Sequence, residues 1–234
     1  MRAPILAACL LLAVHAPAHA QFATLARRVN TLTTAADTAR TPARKAALSL
    51  ERLQVLQRVL DSHAAERRGS GWDARPLRDG RIRADSAEIT YGEPQGQWYV
   101  RADRFWALHD RFRALPIAER IAWAAATQTL PGECEADPTC IVGFAEASMG
   151  RYLSLHPRGA HAPAALRAIK ESLAFVETET RPRASHARFC RRDGRDYTVT
   201  PARLRALRAS VQRSAGAERD AVIRTLDRLV TRCV

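Results

Sequence analysis

Lysine is almost missing from this chain: Lys45 and Lys170 are the two in a set of 37 basic residues, the rest being arginine. Asparagine occurs once, as Asn30, and methionine twice. Abundant Arg and Ala beside so little Lys and Asn is the composition of a GC-rich bacterial coding sequence, which accounts for much of the net charge of +13. The arginines are spread along the chain and form no block, so no nucleic-acid partner is expected. There is no G-x-S-x-G, H-E-x-x-H, P-loop or dinucleotide fingerprint, which removes the reactions those motifs announce. C-x-x-C and C-x-x-C-H are also missing, which removes dithiol exchange and c-type haem attachment. No catalytic residue, metal or cofactor is therefore expected.

What is there begins with the first 20 residues. Arg2 precedes an apolar run over residues 5–14, and Ala18-His19-Ala20 follows as an A-x-A site. That is the layout of a secretory signal peptide; its run is too short to span a bilayer, and no transmembrane span is expected. The mature chain is expected to start at Gln21 and to be periplasmic or extracellular. Leu6-Ala7-Ala8-Cys9 also matches the pattern before a lipid-modified cysteine. Lipidation there would leave too short an apolar run upstream and strand Leu10, Leu11, Leu12 and Val14 downstream, so cleavage at Ala20 is the preferred reading.

Loss of Cys9 leaves Cys134, Cys140, Cys190 and Cys233, an even number in an exported chain. Two disulfides are expected, and proximity favours Cys134–Cys140 with Cys190–Cys233. Zinc is the weaker alternative, because C-x5-C is not a usual ligand spacing.

Apolar spacing of three and four predicts a mainly α chain. Phe22, Leu25, Val29, Leu32 and Ala36 make one stripe. After Thr41-Pro42, Ala46, Leu50, Leu53, Leu56 and Leu60 make a second, with Arg52, Gln54 and Arg58 outside. Residues 21–71 thus read as a helical hairpin. Within 72–102, segments 87–91 and 97–101 flank Gly92-Glu93-Pro94-Gln95-Gly96 and read as a small β-hairpin. All four tryptophans lie between Trp72 and Trp123, a cluster expected in the core. The sharper alternative makes Trp72, Trp98 and Trp106 a stacking platform for a sugar or peptide. Residues 103–234 read as helical and disulfide-stapled. Asp103 is expected to cap a segment bearing Phe105, Leu108 and Phe112, and Pro116 to sit in the first turn of the next. Asp137-Pro138 opens a helix with Ile141, Phe144, Ala145, Met149, Tyr152 and Leu153 inward. Leu166, Ile169, Leu173 and Val176 follow on another helix, then Leu204, Leu207 and Val211, and after Gly216 Val222, Leu226 and Leu229. The expected architecture is one domain of stacked antiparallel helical hairpins with a β-hairpin insertion and two disulfides.

The run Tyr152-Leu153-Ser154-Leu155-His156-Pro157-Arg158-Gly159-Ala160-His161-Ala162-Pro163-Ala164-Ala165-Leu166 resembles the helix-turn-helix of tetratricopeptide-like repeats. In those an aromatic-Leu pair precedes a Pro-x-Gly turn, and small alanines let the next helix pack closely. Taken over 138–176, one degenerate hairpin is similar to segments of exported bacterial proteins of unknown function, and the resemblance implies binding of another protein.

His156 and His161 bracket that turn and are expected as solvated caps, sharing a metal only if a third ligand arrives. Glu133 and Glu135 flank Cys134 as solvated charge, and His109-Asp110 could orient a nucleophile brought from elsewhere. The expectation is a non-catalytic exported module with a protein partner in the envelope. The alternatives are an envelope hydrolase or other enzyme with a scattered site, and a binder of anionic polymer or glycan.

Overall fold

The computed structural model describes residues 18–66, 76, 87–93, 96–130, 134, 137–181 and 199–232. It is mainly helical with one two-stranded antiparallel sheet. The leader residues 1–17, Cys9, Trp72, Glu133, Glu135, Cys190 and Cys233 lie outside the described residues.

Helix α1 (Ala18–Thr38) and α2 (Pro42–Glu66) pack along their length. The break between them is chemical: Pro42 fits a first helical turn, and the Thr41 hydroxyl accepts the Arg44 N–H at 3.3 Å as an N-cap. Phe22, Val29, Leu32 and Ala36 are buried as their spacing predicts, joined by Ala26, while Leu25 is only partly covered. On α2 the whole predicted stripe is buried. Arg52 departs from expectation. It turns inward from its predicted outer face, donating to Thr33 at 2.8 Å and to both Glu88 oxygens at 2.6 and 2.9 Å.

Strands β1 (Ile89–Gly92) and β2 (Gln97–Val100) pair with Ile89 opposite Val100 and Gly92 opposite Gln97. The outer edge of β2 is sealed by side-chain amides: Val100 N–H donates to Gln57 Oε1 at 2.9 Å, and Gln128 Nε2 donates to Val100 O at 3.0 Å and Gln57 Oε1 at 2.8 Å. A strand edge needs such cover, since its unpaired groups template further pairing.

Helix α3 is Ala102–Phe112 and α4 is Ala118–Ala126. Asp103 does not cap α3. Arg101 occupies that place without a side-chain capping bond, and its guanidinium donates to the Asp103 carboxylate at 2.7 Å. Pro116 falls in the turn before α4 and not in its first turn.

The chain then runs through α5 (Pro138–Ala145), a π-helical turn (Glu146–Gly150) and α6 (Arg151–Leu155) without a break. Asp137 caps α5 by accepting the Thr139 N–H at 2.9 Å, and Pro138 takes the first position. The Cys134–Cys140 disulfide pins the preceding loop to this first turn, Cα to Cα 5.3 Å. The π turn changes which face is buried. Val142 and Ala145 point inward and the next core residue is Gly150, so Met149, expected inward, is only partly covered; Ile141 and Phe144, upstream of the turn and also expected inward, are partly covered as well. Gly150 lies so close to the next layer that a Cβ there would meet Leu207 Cδ1 at 2.8 Å.

Helices α7 (Ala162–Glu179), α8 (Val199–Gln212) and α9 (Arg219–Arg232) complete the fold. Leu166, Ile169, Leu173, Val176, Leu204, Leu207, Val211, Val222, Leu226 and Leu229 are all buried, as predicted. Packing is dense within the set α1–α4 plus the hairpin, and again within α5–α9. The principal helix contact between the two sets is α4 against α6 and the π turn. That seam is where the polar chemistry collects.

Candidate functional site

Tyr152, Leu153 and His156 come from α6 and its end, Glu119 and Trp123 from α4, His109 and Asp110 from α3, and His161 from the turn before α7. Tyr152 is fully buried. Its hydroxyl donates to Glu119 Oε1 at 2.8 Å and accepts the His161 N–H at 3.2 Å. Burial first, and then the adjacent Glu119, hold the phenol well above its ordinary pKa. Burial alone would raise the Glu119 carboxyl. The Tyr152 hydroxyl and the backbone N–H groups of Ala160 and His161 outweigh it, and the carboxyl sits below its usual value. Glu119 thus supplies from α4 the carboxylate to which the Ala160 and His161 N–H groups, in the turn before α7, donate. Gly159 makes the cluster possible, because a Cβ there would strike the Tyr152 hydroxyl and stand 2.8 Å from Glu119 Oε1.

Beside this hub runs a second chain. Asp110 Oδ1 lies 3.0 Å from His109 Nδ1, and His109 Nε2 lies 3.0 Å from His156 Nε2. Asp110 Oδ2 accepts from Arg151 at 3.2 Å, and the Arg151 guanidinium caps the Trp106 ring at 4.2 Å. His109 is buried and His156 half-buried. His109-Asp110 could have oriented a nucleophile, but the nitrogen that would face a hydroxyl or thiol faces His156 instead. His156 and His161 do stand at the helix ends as expected, His156 closing α6 and His161 opening α7, but their rings are engaged and not solvated. The first is bonded to His109, and the second stacks on Trp123 with centroids 4.5 Å apart and planes 6° off parallel. Among the described residues no group of three or more His, Cys, Asp and Glu gathers as a metal set.

The tryptophans divide by role. Trp98 is half-buried with Tyr91 against it at 5.5 Å, whereas Trp106 is buried and its face is taken by Arg151. A platform using Trp106 is thereby corrected: the ring face a ligand needs is already covered. Trp123, not one of the three candidates, is the tryptophan that borders an open groove. This groove of about 370 Å³ runs between α2 and α4, with Gln54, Gln57, Arg120, Trp123, Gln128 and His161 among its walls and, among the described residues, no carboxylate lining it. No local pattern announces the Trp123–His161 stack, since its partners sit on opposite sides of the seam.

Among the described residues no helix is long and apolar enough to cross a membrane. Comparison of the chain with protein-family models, with curated proteins and with solved structures returns no match.

Proposed function

We propose that this is an exported, non-catalytic helical module that holds an extended acidic segment of an envelope protein in the α2–α4 groove. One observation carries the reading: the groove wall combines a flat aromatic-imidazole pair, three glutamine side chains and Arg120, with no carboxylate to repel an acidic guest. The net charge of +13 favours approach of such a guest. Asp110, His109, His156, Tyr152 and Glu119 support the non-catalytic part, since each is bonded to another group of the protein. Export rests on the leader pattern, supported by a disulfide of the kind oxidising compartments favour. The turn at Pro157-Arg158-Gly159, with Leu153 and Leu166 buried on the helices either side, supports a tetratricopeptide-like hairpin. In the full proposal the helices stack as antiparallel hairpins and Cys190–Cys233 forms the second disulfide.

The test is site-specific photocrosslinking in the native envelope, with the probe at Thr127 in the groove or at Ser210 on α8. An adduct from Thr127 that is missing from Ser210 and lost on Arg120→Glu is expected. Equal adducts from both positions, or none from Thr127, would overturn the groove as the binding site.

A further inference from the structure

We propose that the Asp110–His109–His156 chain is a proton-operated latch on the seam, which accommodates one added proton and opens on the second. The hydrogens follow from donor chemistry. An ionised carboxylate only accepts, so His109 Nδ1 carries the hydrogen toward Asp110, leaving a lone pair on neutral His109 at Nε2. The hydrogen between the rings therefore belongs to His156 Nε2, which donates to His109. The rings are perpendicular with centroids 5.2 Å apart. That is nearly the 3.0 Å nitrogen gap plus a ring radius at each end, so the two nitrogens meet head-on. The gap suits a hydrogen and not an ion, because two nitrogens each about 2.0–2.1 Å from a tetrahedral metal stand about 3.3 Å apart or more and point at an angle.

One further proton enters at His156 Nδ1, and the charged ring still donates to a neutral acceptor. A second proton leaves no acceptor: both Nε2 atoms then carry hydrogen and both rings are positive. The contact must part. What parts with it is the tie between α3 and the turn after α6, a place where helix packing across the seam is thin. Asp110 from α3 and Arg151 from α6 face the His109 side. Glu119 from α4, the Tyr152 ring, and Arg158 and Arg213 beside the adjoining cavity face His156. Burial first, then His109, push His156 below the ordinary imidazole value, against a smaller opposite pull from Glu119. The unfolded chain therefore binds this proton more readily than the folded one. Stability is full above 6.5, the unperturbed value, and is lost as pH falls through the lower folded value.

Two measurements on the mature chain test the latch. Imidazole ¹⁵N spectra at about pH 7.5, where unperturbed imidazole is neutral, should show His109 as the Nδ1–H and His156 as the Nε2–H tautomer. Hydrogen exchange across the turn at 156–162, corrected for intrinsic rates, should rise below about pH 6.5 by more than tenfold and up to about a hundredfold per pH unit, since the opening takes up two protons. His156→Gln keeps a donor for His109 but does not titrate, so its exchange profile should be flat over the same range. A flat profile in the wild type, an acid step that persists in His156→Gln, or reversed tautomers would each overturn the proposal. Should His156→Gln fail to fold, the wild-type tautomers and exchange profile decide it unaided.

Discussion

Replacing Tyr152 by phenylalanine removes one oxygen from the interior and keeps the ring that packs 5.4 Å from Trp123. The lost bond has a charged acceptor, Glu119, at 2.8 Å. Bonds to charged groups contribute about 1.5–3 kcal/mol, so a loss of about 2 kcal/mol is expected. The weaker 3.2 Å bond from the His161 N–H adds little, since that N–H also has Glu119 nearby. In a chain of this size each kcal/mol lowers Tm by about 2–4 °C, giving a drop of about 4–8 °C. The variant also tests the charge. The Glu119 carboxyl is held below 4.5, its ordinary value, so its bonds stabilise fully above that pH and are lost as pH falls through the lower folded value. The gap between wild type and Tyr152→Phe should therefore be largest near neutrality and narrow once Glu119 protonates. Thermal melts from about pH 7 down to about pH 2.5, through and below the ordinary carboxylate range, with Glu119→Gln and the double variant, make this a cycle. A loss under about 0.5 kcal/mol, strictly additive single changes, or a gap independent of pH would refute the hub as a charge-assisted bond.

Leu153→Ala and Leu166→Ala each empty a fully buried site, and denaturant melts should show a loss of about 2–5 kcal/mol. Gly150→Ala should lower stability by about 1–3 kcal/mol through overpacking against Leu207, a loss that Leu207→Ala in the same chain should partly relieve. Peptide mapping without reductant should yield a Cys190–Cys233 peptide beside Cys134–Cys140. Thermal melts of Cys→Ser pairs should then show the larger loss for the long loop, about 4 kcal/mol against about 2.4 for the short one in the chain-entropy model.

Helix positions were legible wherever burial repeats within a single element. The α2 stripe from Ala46 to Leu60 and the α7 stripe from Leu166 to Val176 were predicted residue by residue, because a periodic face needs no knowledge of its partner. The Asp137-Pro138 start was legible for the same reason, as a cap bonds within its own turn. What could not be read depends on distant partners. Arg52 looked like an outer-face arginine until Glu88, 36 residues on, supplied two oxygens for its guanidinium. His156 looked like a turn residue until His109, 47 residues away, faced it. Asp103 is the local failure: both a cap and an ion pair were open to it, and the neighbouring Arg101 offered the charge-assisted bond. The candidate site consists almost wholly of such distant pairs, so the sequence pointed to His109, Asp110, His156 and His161 without pairing them across the seam, and missed Glu119.

The π turn at Glu146–Gly150 bears on how the seam is aimed. Each residue of an α-helix advances about 100° around the axis, so one extra residue inside a continuous rod re-indexes everything after it. Upstream, α5 packs on α7 and α8; downstream, α6 keeps contact with both and also meets α4, where Tyr152 bonds Glu119. A regular helix with the same residues would carry Tyr152 about a quarter of a circle or more away from Glu119. The rod works as a joint with a fixed offset. Removing one residue from 146–150 would leave a regular helix with both faces still on their partners, whereas drawing all the residues into regular α geometry would turn one face away.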